Sequence, residues 1–457
     1  MSHKTANEVP YIPCGIFKLR LPFIHYRIET TEFIQGLVLG VTALSAVPYL
    51  ENYMGIPYEL AWSVVILDCL LYLLHGFLGD PVVPGWITPT LPLTIVFLEG
   101  FEKGPERIQA MIALQIMVGV VFVFMGITRL AEKFVNAVPP SIKGGILLAA
   151  PVTVIAGQIG EGGNLRLYPA AIVAGVGLLL LISFSDEYQK RRARSKLLDI
   201  IAKYGNLFPY LLAMVVGILL GELDKPGLVL GTVVKIPDMG AIMDSISVFG
   251  VGVPPLSTFT QALPLALVSY IIAFGDFITS ETLLREAQEF RNDEYLDFNS
   301  SRSNLVCGLR NLLLGIFAPF PPLCGPLWVG MTVSVSQRYR EGKEAMKSLI
   351  GGMASFRIAT FVSVLLIPVV EFFRPIFGVS SSITLLFQAF VCARIGMAYC
   401  KTDRDKMIAG VMAAVLATQG TAWASAWALG TGIVLNLFLS NWHPFRKEEQ
   451  TVQESQE

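Results

Sequence analysis

The chain has 457 residues, of which 53% are hydrophobic and only 15% charged, against about 25% in an ordinary soluble domain. With a mean hydropathy of +0.60, most of it must face lipid or lie inside a polytopic bundle, so the expected class is an all-α membrane protein. A formal net charge of −1 gives no electrostatic case for a nucleic-acid partner.

Residues 1–32 are polar and carry Lys4, Lys18, Arg20 and Arg27, without the short apolar core of a secretory signal. They read as a cytoplasmic N-terminal segment. A crossing helix needs roughly 20 apolar residues. Candidate spans fall at 33–50, 60–78, 80–99, 108–128, 140–158, 168–185 and 206–221, then, beyond a loop at 222–258, at 259–284, 303–318, 320–337, 346–370, 376–400, 406–419 and 421–441. A tail, 442–457, follows. This predicts about 14 spans in two sets of seven, 33–221 and 259–441. A set with an odd number of crossings inverts the next, so the halves read as inverted repeats, a frequent transporter architecture.

Charge between the spans supports the count. Every second loop is basic: Arg129 and Lys133; Lys190, Arg191, Arg192, Arg194 and Lys196; Arg285, Arg291 and Arg302; Arg338, Arg340, Lys343 and Lys347; Lys401, Arg404 and Lys406. The opposite loops hold few Lys or Arg. The positive-inside rule then places both termini in the cytoplasm and the 222–258 loop outside, in a multi-pass protein of the cell (inner) membrane.

Two of the spans are broken. The third span of the first half reads "GDPVVPGWITPTLPL", 79–93, and the third of the second half reads "PPLCGPLWVGMTVS", 321–334. Both open with a Pro-punctuated extended run, contain Gly and Trp, and pass through Thr into apolar residues. Prolines remove backbone donors, and lipid cannot satisfy the groups left over, so such backbone must be packed in protein or line a watery cavity. Half-helices that begin mid-membrane present unpaired N–H groups and a partial positive charge, which suits an anion or an acceptor-rich solute. Thr88, Thr90 and Thr332 stand near the expected helix starts, with Gly330 and Trp328 beside them. A pair of kinked, structural helices is the competing reading.

Acidic residues inside the apolar runs are the other candidates. Asp276 follows about three apolar turns and must face the protein interior or a cavity. It reads as a substrate-binding or proton-coupling group, or as the partner of Arg310, Arg357 or Arg394. Glu281, about 140° further round the helix, is a second coupling candidate. Asp68 and His75 share a face as a relay or a packed polar pair. Tyr49 is a candidate site wall, Glu51 closes the same span, and Lys143 reads as a snorkelling lysine. No Cys-x-x-Cys pair occurs among six cysteines, and four histidines are dispersed, so neither a metal centre, a cofactor nor an enzyme is expected.

Five stretches resemble a known family. "FGDFITSETLL", "SNLVCGLRNLLLGIFA", "PPLCGPLWVG" and "VPPSIKGGILLAA" are similar to the eighth, ninth, tenth and fifth spans of the nucleobase–ascorbate transporters and, more distantly, of the sulfate permease and anion exchanger superfamily. "FIQGLVLGVTALSAVPYL" resembles the first span of sulfate permeases. The resemblance implies seven-plus-seven inverted repeats, core and gate domains, and short strands followed by half-helices in segments 3 and 10. Gly275-Asp276 matches the family's site pair, and Gly330 the glycine that opens the tenth half-helix. Pro326 and Leu327 stand where the nucleobase signature has an acid or Gln followed by Asn, and Ile272 replaces an earlier acid; both changes remove polar substrate contacts. The implied function is a permease: secondary active transport of a small polar or anionic solute with a co-transported proton or sodium ion, by elevator-type alternating access. An uncoupled anion exchanger or channel is the alternative. A homodimer through the gate domain is also implied.

Overall fold

The structure, a computed structural model, describes residues 8–160, 163–192, 194–203, 207–227, 231–418 and 422–440. The tail 442–457 lies outside the described residues. A two-stranded hairpin, β1 (Ile12–Cys14) and β2 (Phe17–Leu19), comes first, where the sequence suggests only a polar lead-in. Then follow α1 (Thr30–Leu39), α2 (Tyr58–Leu71), α3 (Leu73–Leu78), β3 (Gly85–Trp86), α4 (Leu91–Glu99), α5 (Pro105–Thr128), α6 (Pro140–Ile159), α7 (Pro169–Phe184) and α8 (Leu207–Leu219). The second half comprises α9 (Leu256–Phe290), α10 (Ser300–Phe317), β4 (Cys324–Gly325), α11 (Val329–Arg340), α12 (Leu349–Leu365), α13 (Phe377–Tyr399), α14 (Asp403–Thr418) and α15 (Ala424–Ser440). The 222–258 stretch, expected as a loop, contains the short helices Met239–Ser245 and Val248–Val251.

The chain is a helical membrane protein. Among the described residues, six helical segments are long and apolar enough to cross a bilayer, or up to eight if two bent pairs each count once. That is fewer than the fourteen expected. The other expected spans correspond to helices that are shorter or more polar, such as α4, α11, α12 and α15.

Two groups of helices pack with matching partners in the two halves. α12 packs on α1, α2 and α3, as α5 packs on α9 and α10. α7 packs on α8 as α14 packs on α15, and α6 lies against α13 and α14. The α1–α12 contact is unusually close. A Cβ placed on Gly36 would lie 2.3 Å from the Phe356 carbonyl oxygen, and one on Gly40 would lie 2.5 Å from Ser363 Cβ. This Gly-x-x-x-Gly pair lets two backbones touch. Beyond Leu39 the first span leaves α-geometry: a tight turn at Gly40–Ala46 leads to a wide turn at Leu50–Met54, with Pro48 between them.

Candidate functional site

The two broken segments meet. β3 and β4 pair antiparallel, Gly85 opposite Gly325 and Trp86 opposite Cys324. The Ile87 amide donates to the Leu323 carbonyl at 3.1 Å, and the Trp328 amide to the Val83 carbonyl at 2.6 Å. Carbonyls and amides left unpaired by the prolines therefore satisfy each other across the halves. Glycine is required at the crossing. A Cβ on Gly85 would lie 2.8 Å from the Leu327 carbonyl oxygen, and one on Gly325 would lie 2.9 Å from the Trp86 backbone.

A half-helix leaves each strand, but the two starts differ. α11 has Trp328 as its N-cap and no capping side chain. The first-turn amides of Val329, Gly330 and Met331 therefore have no intrahelical acceptor. Val329 and Gly330 are exposed, and the nearest atom to a Cβ on Gly330 would be Trp328 Nε1, at 4.0 Å. The start of α4 is poorer in donors. Pro89 and Pro92 have no N–H, and Thr90 and Leu91 donate to Ile87 and Thr88 in a tight turn over Thr88–Thr90.

The threonines are largely structural. The Thr90 hydroxyl donates to the Ile87 carbonyl at 2.7 Å, and Thr332 Oγ1 accepts from the Val83 amide at 3.2 Å; both residues are buried. Thr88 is half-buried, with no hydrogen-bond partner for its hydroxyl among the described residues. Tyr49 is buried and donates to the Ser381 carbonyl at 2.8 Å.

Asp276 lies on α9, which packs on α11 and also touches α4 and the Thr88–Thr90 turn. Its carboxylate is half-buried and has no hydrogen bond or ion pair among the described residues. The three arginines considered as its partners are elsewhere. Arg310 pairs with Asp68, Arg357 stacks on Tyr72, and Arg394 lies over Phe184. Glu281 forms a solvent-side pair with Arg285 one turn on, so the structure does not bring it to Asp276 or to the strand crossing. A cavity of about 260 Å³ opens between α1 and α11, lined by Glu32, Gln35, Ser334, Gln337 and Arg338.

Behind the strand crossing runs a buried polar network that joins Asp68 and His75. Asp68 accepts from Trp86 Nε1 at 2.9 Å and pairs with Arg310 at 3.4 Å. Arg310 also donates to the Gly325 carbonyl at 3.1 Å and lies 3.3 Å from His75 Nε2. His75 Nδ1 stands 2.8 Å from Asp80, which accepts from Ser303 at 2.7 Å. Asn311 brackets Cys324, taking its amide and donating to its carbonyl. This network holds β4 against α2 and α3. Asp80 and Asn311 escape sequence reasoning because neither stands alone in an apolar run.

Arg357 is the other residue whose place the sequence does not reveal. It is 4% exposed on α12, its guanidinium carbon 3.8 Å from the Tyr72 ring centroid and 5.1 Å from that of Trp328. Nε and Nη2 are buried and have no acceptor among the described residues. The signal was available: it is the one charge in "LIGGMASFRIATFVSVL", and a lone intramembrane charge is a functional-site hypothesis by default.

The fold and these paired half-helices define a class: the transmembrane fold of SLC26-type anion transporters. The transmembrane domain of a cyanobacterial bicarbonate transporter, BicA, superposes with a TM-score of 0.53 at 14% identity, covering 89% of this chain and 99% of that one. The murine anion transporter Slc26a9, in its inward-facing state, gives 0.52 at 12% identity, over 90% of this chain and 69% of that one. A further SLC26A9 structure gives 0.53 at 13% identity, over 90% and 65%. At these identities the likeness establishes the fold. It meets the sulfate permease side of the expected resemblance, and these three structures lend nothing to the nucleobase–ascorbate side. No protein-family model and no curated protein matches the sequence.

Proposed function

We propose that the chain is a secondary active transporter of a small anionic solute. The observation that carries this reading is the antiparallel crossing of β3 and β4, from which the uncapped N-terminus of α11 starts, against α9, the helix of the unpaired Asp276 carboxylate. Free first-turn amides, a partial positive charge and no capping side chain make a receptor for negative charge. The neighbours in fold are named as a bicarbonate transporter and as anion transporters, which supports the same solute class. Val329–Gly330, Trp328 and Thr88 face the solute, while Thr90, Thr332 and Tyr49 hold the walls. Asp276 is the proton-coupling group, because a carboxyl with no cation beside it gains or loses a proton readily as the cavity opens to either side. The helices around β3 and β4 move as a core against the α6–α8 and α13–α15 gate, through which two copies pair in the cell membrane, with both termini cytoplasmic.

Uptake into proteoliposomes tests the reading. Labelled anion should accumulate against its gradient when a proton gradient is imposed. The Asp276→Asn variant should lose accumulation while eluting as a folded protein. Full activity of that variant removes Asp276 from the site. Accumulation driven by sodium alone reassigns the coupling ion, and downhill flux indifferent to both gradients replaces the coupled transporter with an exchanger or channel on the same fold.

A further inference from the structure

Resting on the anion-transport reading, we infer that Arg357 selects the solute: it takes an anion presenting two adjacent oxygens, a carboxylate or inorganic oxyanion, in preference to a halide. Three observations converge. The Nε–Nη2 edge is buried and lacks an acceptor among the described residues, although arginine donors in a protein interior are ordinarily satisfied. That edge presents two parallel N–H groups, a fork that matches two oxygens of one ligand and leaves one donor poorly served by a single spherical ion. The residue also stands at the right place. Its guanidinium lies over Tyr72 and near Trp328, and Trp328 is the N-cap of α11, whose exposed first turn carries the free amides. The indole Nε1 of Trp328 has no acceptor among the described residues and is the nearest atom, at 4.0 Å, to a Cβ placed on Gly330.

Three sets of donors therefore meet around Trp328: the first-turn amides of α11, the indole N–H, and the guanidinium 5.1 Å from the indole centroid. The other buried arginine nearby, Arg310, offers no open fork: its Nη2 donates to Asp68 and its Nη1 to the Gly325 carbonyl, which leaves Nε alone without an acceptor among the described residues. The Tyr72, Trp328 and Phe356 rings pack around the Arg357 guanidinium and no carboxylate is hydrogen-bonded to it among the described residues, so the fork is held in place with its edge open to the solute.

Binding of nitrate, sulfate and chloride to the purified full-length chain, together with flux of the same ions in proteoliposomes, tests the assignment. Wild type should bind at least one of the oxyanions more tightly than chloride by about tenfold or more. Arg357→Lys keeps the charge and loses the fork. It should weaken oxyanion binding by about ten- to a hundredfold while leaving chloride binding within a few fold, a change of ratio that a merely structural arginine would not produce. An unchanged ratio in that variant overturns the inference. So does a wild-type protein that binds chloride as well as both oxyanions, a measurement that decides the matter even if the variant fails to fold. A wild type that moves no anion at all overturns the transport reading itself, and this inference with it.

Discussion

At the scale of single residues, burial decides which charges are working parts and which are mortar. Glu32–Arg338 joins α1 to α11, and Arg302, Lys18 and Asp297 join α10 to the hairpin. Glu294, in the loop between α9 and α10, is different. It is 5% exposed, and burial pushes its carboxyl up to about 7, against the lowering effects of the Leu349 amide and Arg291. A raised carboxyl means that the folded chain binds the proton more tightly than the unfolded one, so stability falls as pH rises between the two values. Its contribution is therefore full below the unfolded value, near 4.5, and is lost as pH rises through 7. The melting temperature of the detergent-solubilised protein should fall between about pH 5 and 7.5 by an amount corresponding to at most about 3 kcal/mol. Glu294→Gln should flatten that slope; a slope that survives the substitution belongs to another group.

At the scale of elements, the strand crossing is the joint on which the site depends. Both strands are two residues long, so their pairing rests on a few hydrogen bonds and on the absence of side chains at Gly85 and Gly325. Gly325→Val would push a branched side chain into the Trp86 backbone, with an expected cost of about 1–3 kcal/mol and loss of uptake. Gly177→Ala, on α7 and away from the crossing, has no atom within 4 Å of the new Cβ and should leave thermal stability and uptake near wild type. Equal effects of the two substitutions in a thermal-shift and uptake series would show that the crossing has no special standing. The half-helices themselves were legible in the sequence, because several prolines and glycines crowded into one short apolar run disfavour a continuous helix. Their contact was not. Sequence pattern cannot report that two segments in opposite halves pair, since hydrogen bonds across that distance are set by how α2, α3 and α10 pack.

At the scale of the whole molecule, the topology proposal makes a simple demand. Cys14, in the N-terminal hairpin, is exposed, whereas the other five cysteines are buried. A membrane-impermeant maleimide should label Cys14 in inside-out vesicles and not in intact cells. Labelling of intact cells would place the N-terminus outside and reverse the assignment of every loop. The alternation of basic and non-basic loops along the chain argues for the first result.

Composition, hydrophobic run lengths and loop charge were enough to establish a polytopic helical protein with two related halves. They also located both broken segments and the lone carboxylate at Asp276. These are properties of short windows, in which transfer free energy and backbone chemistry dominate, so neighbours in sequence carry the information. Packing settled the rest. It spent the hydroxyls of Thr90 and Thr332 on backbone, turned Glu281 toward Arg285, and paired Arg310 with a carboxylate while setting Arg357 against rings, without an ion pair among the described residues. Whether a buried charge is neutralised depends on which helix faces it, and that is a property of the folded bundle rather than of any window of sequence.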